Sequence, residues 1–365
     1  MARTIVIAPD SFKGSATAAE IAEAIGRGWS SVRPDDDVRL LPMADGGEGT
    51  LDAFEVAVPG AKRKPVRVTG PVGDPVDAAW LLLPDGTAVV ELALTSGITL
   101  LDPLRPFEAQ TVGFGEAIAA ALDGGATALL LAIGGSSSTD GGLGALQALG
   151  AKATDAAGRA VSAGNAGLAD LDTLDLSELR QLPEHGARVL SDVTNPLFGE
   201  HGAAAVFGPQ KGASPDDIAV LDANLARLAK HVDVDPGTPG AGAAGGAGFG
   251  LLAWGATLDP GSAAVGDALG APDVIGDADV VITGEGRYDS QSAGGKVPSY
   301  IAGLAGEHTR TLLVAGLVDA DPAELFDDSE SLTDIAGGLD AAIADSLTHA
   351  REAGARLARR MPGGD

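Results

Sequence analysis

The chain has 365 residues, of which 45% are hydrophobic and 4% aromatic, with 53 Gly, 21 Pro, no Cys and a formal net charge of −27. That length predicts two domains, with cores built from Ala, Val, Leu and Ile rather than rings. The lack of a basic footprint argues against nucleic acid or an anionic membrane surface as a partner, and the absence of cysteine excludes disulfides, thiol catalysis and thiolate metal sites. The acidity reads as a bias toward Asp and Ala rather than as a high-salt adaptation. It sets one condition on function: an anionic substrate needs a locally positive pocket.

TIVIAP (4–9) reads as a buried strand, entered without a charged-then-apolar leader. No apolar run reaches membrane-spanning length, so the cytoplasm is the expected address. A helix follows over 17–29, with apolar positions at Ala18, Ile21, Ala22 and Ile25. VRLLPMA (38–44) is a second strand, and DGGEGT leads into a helix over 50–57. This alternation predicts a parallel sheet. Residues 62–94, with turn signals GPVGDP and PDG, read as an antiparallel meander. A helix over 111–122 and the strand TALLLAI (127–133) lead into GGSSSTDGG, a helix through ALQAL and a hairpin over 150–161. The strand ARVLSD (187–192) and helices over 216–231 and 247–255 come next. From 268 the parallel rhythm resumes, with DADVVITGEG, a helix over 297–306, TLLVAGLV and one helix over 339–360. The expected fold class is α/β: a Rossmann-like parallel domain from 1–60 and 268–365, split by an inserted mixed α/β domain over 61–267.

Loops that follow the strands of an open parallel sheet emerge on one edge, where ligands bind. Three such loops carry chemistry: Asp10, Ser11 and Lys13; Asp45, Gly46, Gly47 and Glu48; and Glu285, Arg287 and Asp289, followed by Gln291 and Lys296. Any one of them is accounted for by ordinary turn and cap residues. Three converging from distant positions favour a site for a charged ligand. In the insertion, IGGSSSTDGG (133–142) offers Gly134, Gly135, Ser136 and Ser138 as phosphate donors beside Asp140. Asp192 and Asn195 follow another strand, and Lys211 sits in a Gly-Pro-flanked turn. Lys13, Lys211 and Lys296 are expected to be exposed loop cations whose loss costs little stability.

Familiar motifs fail. The Walker A positions around Gly295–Lys296 hold Ser290 and Val297, and GAGAAG (Gly240, Gly242, Gly245) follows no strand. No H-x-x-x-H pair suits zinc, and no G-x-S-x-G elbow supports a serine triad.

APDSFKGS, LPMADGGEGT, IGGSSSTDGG, DVTNPL, AAAVFGPQKGA and VITGEGRYDSQSAGGK resemble, in the same order, motifs of the bacterial glycerate kinase family related to the glycerate 2-kinases. The likeness spans Ile5 to Lys296 and continues to the C-terminal helix. The family often reads GGSATNDGG where this chain has GGSSSTDGG, which removes an Asn contact at Thr139. It often has Thr where Ser292 follows Gln291, a change that keeps the hydroxyl. The resemblance implies ATP- and Mg²⁺-dependent phosphorylation of D-glycerate, with 2-phosphoglycerate favoured, by in-line transfer in an interdomain cleft. On that reading Asp10, Lys13, Asp45, Glu48, Asn195 and Arg287 hold the substrate. Gly134, Gly135, Ser136, Ser138, Lys211 and Gln291 hold the nucleotide phosphates, and Glu285 and Asp289 serve the metal. Asp192, ending an apolar strand, is the expected general base, with Asp289 and Lys296 also catalytic. A non-catalytic two-lobed sugar-acid sensor and a nucleotide-dependent dehydrogenase are the alternatives, and a homo-oligomer is left open.

Overall fold

The computed structural model describes residues 2–289 and 296–362. In chain order its strands are β1 (Thr4–Pro9), β2 (Asp37–Leu40), β3 (Lys62–Thr69), β4 (Pro75–Leu82), β5 (Thr87–Glu91), β6 (Ala128–Ala132), β7 (Lys152–Thr154), β8 (Thr173–Asp175), β9 (Ala187–Leu190), β10 (Thr257–Asp259), β11 (Val280–Tyr288), β12 (Arg310–Val318) and β13 (Asp328–Ser331). Two compact units account for the chain. One comprises Met1–Asp45, Asp52–Pro59 and Pro260–Asp365, the other Gly46–Leu51 and Gly60–Asp259.

The first unit is built on a five-stranded sheet in the order β13-β12-β11-β1-β2. Every pairing in it is parallel, and Ile5 of β1 lies opposite Val280 of β11. Its central strands are continuous apolar runs because helices cover the sheet. Ile5, Ile7, Val280, Ile282, Leu312 and Val314 pack with Ile21, Ile25 and Trp29 of the helix Ala18–Val32. Thr17 and Glu20 close that helix with a reciprocal capping box. Two expected boundaries move. β2 ends at Leu40, although Leu41 N and Met43 N still donate to Ile7 O and Pro9 O. The helix expected over 339–360 is broken into Leu339–Ala344 and Ser346–Arg360 by Asp345, whose backbone (φ −142°, ψ 52°) is not helical. Short polar side chains such as Asp compete for backbone groups and favour such breaks.

The second unit carries a six-stranded sheet in the order β10-β9-β6-β5-β4-β3. β3, β4 and β5 form the antiparallel meander, after which β5, β6, β9 and β10 run parallel. Val90, Leu92, Phe114, Ile118, Leu131, Val189 and Trp254 belong to its main core. The hairpin expected over 150–161 is a short one, in which Asp155 N donates to Arg159 O, Val161 N donates to Ala153 O, and Thr154 and Ala160 form an isolated antiparallel bridge. β7 pairs in addition with β8, antiparallel. The helix expected from 247 is regular from there, and the turn that precedes it, from Ala243, has left-handed backbone at Ala244, Gly245 and Gly246.

The helices Ala18–Val32 and Ser346–Arg360 approach until only glycine fits. A Cβ on Gly28 would lie 1.9 Å from the Arg351 carbonyl oxygen, and one on Gly354 would lie 2.3 Å from that of Ile25. Gly28→Ala is therefore expected to destabilise the protein by about 1–3 kcal/mol, the usual range for overpacking a tight contact. A urea unfolding midpoint equal to wild type would contradict this contact.

Candidate active site

The C-terminal ends of the first unit's strands bring charged side chains to one pocket of about 350 Å³. Asp10 follows the last residue of β1, and Lys13 lies in the loop before the next helix. Asp45 comes from the loop after β2, and Lys296 caps the helix Val297–Leu304. Glu285 and Arg287 were expected in a loop, yet they belong to β11, opposite Ala315 and Leu317 of β12. The glycines that suggested a loop serve close strand packing instead: a Cβ on Gly284 would meet the Val314 carbonyl oxygen at 1.9 Å. Asp289 follows directly. Asp10, Lys13, Asp45, Glu285, Arg287, Asp289 and Lys296 thus line one pocket, with Ser11 beside them.

The charges are paired across the strand ends. Lys13 Nζ lies 3.4 Å from Asp45 Oδ2, Lys296 Nζ lies 3.7 Å from Glu285 Oε2, and Arg287 pairs with Asp319. Burial, then the charge of Asp45, raises the Asp10 carboxyl well above the usual carboxylate range. Asp45, and after it Asp10 and Glu285, hold the Lys13 ammonium above the ordinary lysine value. Sequence reasoning did not single out Asp319, whose only signal was its place just after an apolar strand. It also missed the pocket's apolar side, formed by Phe12, Leu332, Leu339, Ala342 and Ile343.

Other expected residues lie elsewhere. Glu48 is exposed and does not line this pocket. Gly134, Gly135, Ser136, Ser138, Asp192, Asn195 and Lys211 belong to the second unit, and Gln291 lies outside the described residues. Asp192 and Asn195 follow β9, and Asn195 Nδ2 donates to the His201 carbonyl at 2.8 Å. Gly134 N donates to Gly46 O at 3.0 Å. A Cβ on Gly134 would sit 2.5 Å from Gly47 Cα, so the two glycine turns of this unit abut. Glu91, at the end of β5, was also missed. It is buried, and its two oxygens accept from Gly49 N and Leu51 N, both at 3.0 Å.

Lys211 is a correction. It is 2% exposed, not a surface cation, and its Nζ donates to Ser136 Oγ at 2.8 Å and to Ser138 O at 2.5 Å. Burial pulls it down to about 7, against the opposing charge of Asp140. Asp140 is also buried and accepts from Thr111 N, Thr111 Oγ1, Gly142 N and Gly144 N at 2.8–3.2 Å. Its carboxylate therefore ties the turn after β6 to the start of the helix Val112–Asp123. A pocket of strand-end cations and carboxylates suits a small organic anion and the movement of one proton. The turn Gly134–Ser138 brings two glycines and three serines together, and the buried Lys211 side chain is hydrogen-bonded to it.

A family model described as the glycerate kinase family matches residues 5–362. The glycerate 2-kinase of Escherichia coli (strain K12) is 42% identical over 329 residues, covering 87% of this chain and 86% of that protein. The glycerate kinase of Bacillus subtilis (strain 168) is 43% identical over 367 aligned residues, covering 97% and 96%. A crystal structure designated glycerate kinase 2, from Salmonella typhimurium LT2, superposes with a TM-score of 0.83 at 40% identity, over 98% of each chain.

The buried lysine gives a test that does not depend on activity. Between about 7 and the ordinary lysine range, the unfolded chain binds a proton at Lys211 that the folded protein does not. Stability contributed by this group therefore rises with pH across that window and is lowest below it. Lys211→Met is expected to remove that rise, as read from urea midpoints of variant and wild type on either side of about pH 7. Parallel pH dependences in the two proteins would mean that Lys211 is not held in a dry site.

Proposed function

Since this chain belongs to the glycerate kinase family and is a kinase, we propose that it transfers the γ-phosphoryl group of ATP to D-glycerate, giving 2-phosphoglycerate. The observation that carries this reading is the set of seven strand-end charges gathered in the first unit's pocket. A protein with a net charge of −27 repels a small acid at long range, and Lys13, Arg287 and Lys296, set among four carboxylates, are the cationic donors this pocket offers glycerate. Lys13 has ammonium donors beyond the one shared with Asp45, and these suit the glycerate carboxylate. The name of the E. coli relative, glycerate 2-kinase, supports the 2-hydroxyl as acceptor. In-line transfer follows from the general chemistry of phosphoryl groups. The sensor and dehydrogenase alternatives have no counterpart among these named relatives.

Kinases take ATP with Mg²⁺, a hard ion that prefers oxygen, usually keeps several waters, and binds one or two carboxylates plus nucleotide phosphates. The pocket's oxygen donors fit such an ion, and Asp289 would hold it. Glu285 also lines the pocket, in an ion pair with Lys296. Among the described residues no group of three or more His, Asp or Glu lies close enough to hold a metal unaided. Bound Mg²⁺ would neutralise charge on the transferring phosphoryl group. The turn Gly134–Ser138, with its glycines and hydroxyls, is our proposal for nucleotide phosphate contact.

ATP, Mg²⁺ and D-glycerate together are expected to release ADP, and phosphorus NMR should identify the 2-phosphate. No ADP release would overturn the reading, and a 3-phosphate would overturn its regiochemistry. Lys13→Ala and Lys296→Ala should each raise the KM for glycerate roughly 10–100-fold, since charge-assisted hydrogen bonds contribute about 1.5–3 kcal/mol. Their unfolding midpoints should stay near wild type because partly exposed ion pairs contribute little. Unchanged KM in both variants would remove the lysines from the substrate site.

A further inference from the structure

We propose that Asp10 is the group that receives the proton of the acceptor hydroxyl. The proposal rests on the kinase reading above and moves to Asp10 the role expected for Asp192.

Asp10 sits where β1 leaves the sheet, is 7% exposed, and lines the pocket. Its Oδ1 accepts from Ser11 N at 2.7 Å. Among the described residues its Oδ2 accepts no hydrogen bond, and the neighbouring Ser11 Oγ is buried without a hydrogen-bond partner. A carboxylate oxygen that lines a pocket and takes no protein donor is open to one from a ligand. A substrate hydroxyl is such a donor. Two of the three other carboxylates of the pocket are paired with lysines: Asp45 with Lys13, and Glu285 with Lys296.

The charges around Asp10 are arranged for proton transfer. Asp45 from the loop after β2 and Glu285 from β11 raise its proton affinity together with burial, while Lys13 from its own loop opposes them. Arg287, Asp289 and Lys296 complete the charged lining. A base whose proton affinity lies closer to the working pH than an ordinary carboxylate's is the more effective acceptor. In the step itself, the glycerate hydroxyl oxygen bonds to the γ-phosphorus as the bond from that phosphorus to the β–γ bridging oxygen breaks. The electron pair leaves with ADP. The hydroxyl proton passes to Asp10 Oδ2 and from there to water.

The test is Asp10→Asn, which keeps the oxygen that accepts from Ser11 N and removes the basic one. With ADP release as readout, kcat is expected to fall about 10²–10⁴-fold, with the KM for glycerate changed only a few-fold. In the wild type kcat falls as pH drops through the raised Asp10 value, and this acid limb should be absent from the variant's residual rate. Asp45→Asn supplies a second readout if Asp10→Asn does not fold. Removing that negative neighbour lowers the proton affinity of Asp10, so the acid limb should move to lower pH. An Asp10→Asn enzyme with kcat within a few-fold of wild type, or with only KM raised, overturns the proton role and leaves the kinase reading standing. An acid limb unmoved in Asp45→Asn also counts against Asp10. Wild-type protein that does not phosphorylate glycerate sinks both.

Discussion

Charge taken out of water is the constraint on which the rest of this structure depends. Asp10, Glu91, Asp140, Lys211 and Glu285 are all buried, in a chain whose cores are otherwise alanine and aliphatic. An ionised group in such surroundings is strongly unfavourable unless neighbours replace its hydration shell. Asp140 and Glu91 are served by backbone N–H groups, several from glycines: Gly142 and Gly144 for the first, Gly49 for the second. Residues without side chains let several amides converge on one carboxylate, so these glycines act as donors as much as hinges. Lys211 is served from the opposite polarity, by a hydroxyl and a carbonyl of the turn it supports. Asp10 differs in having a single amide partner.

The parallel sheet of the first unit was legible because its central strands carry continuous apolar runs, and strands buried on both faces have no other composition. The edge strand β13 was not, since DSES is short and polar and is held by pairing with β12. β7 and β8 share that difficulty: KAT and TLD carry no periodic signal, and the pairing spans residues 152 to 175. The break at Asp345 was invisible because the flanking residues all tolerate helix.

Legibility within the site divides the same way. Charged residues just after apolar strands were recoverable, because strand direction alone sends them to one edge. What a side chain meets there was not. Nothing local distinguishes the buried Lys211 from the exposed Lys13, as both lie in glycine-flanked loops. The burial of Lys211 comes from Ser136 and Ser138, more than seventy residues away. Glu91 read as the end of a strand, and its grip on Gly49 and Leu51 exists only in the folded second unit.

The pairing of β1 with β11 has a consequence for the order of events during synthesis. Ile5 cannot find Val280 until the chain has grown by 275 residues. At about 5–20 residues per second that is a wait of tens of seconds. Until then TIVIAP can pair with β2 on one side but keeps its other edge unsatisfied, the kind of segment that pairs with the wrong chain. Most of the residues translated in that interval form the second unit, whose sheet joins strands from Lys62 to Asp259 and needs nothing from β1. On a ribosome, therefore, the first strand made is among the last to find its place, and its aggregation risk is set by the length of sequence that separates it from its partner.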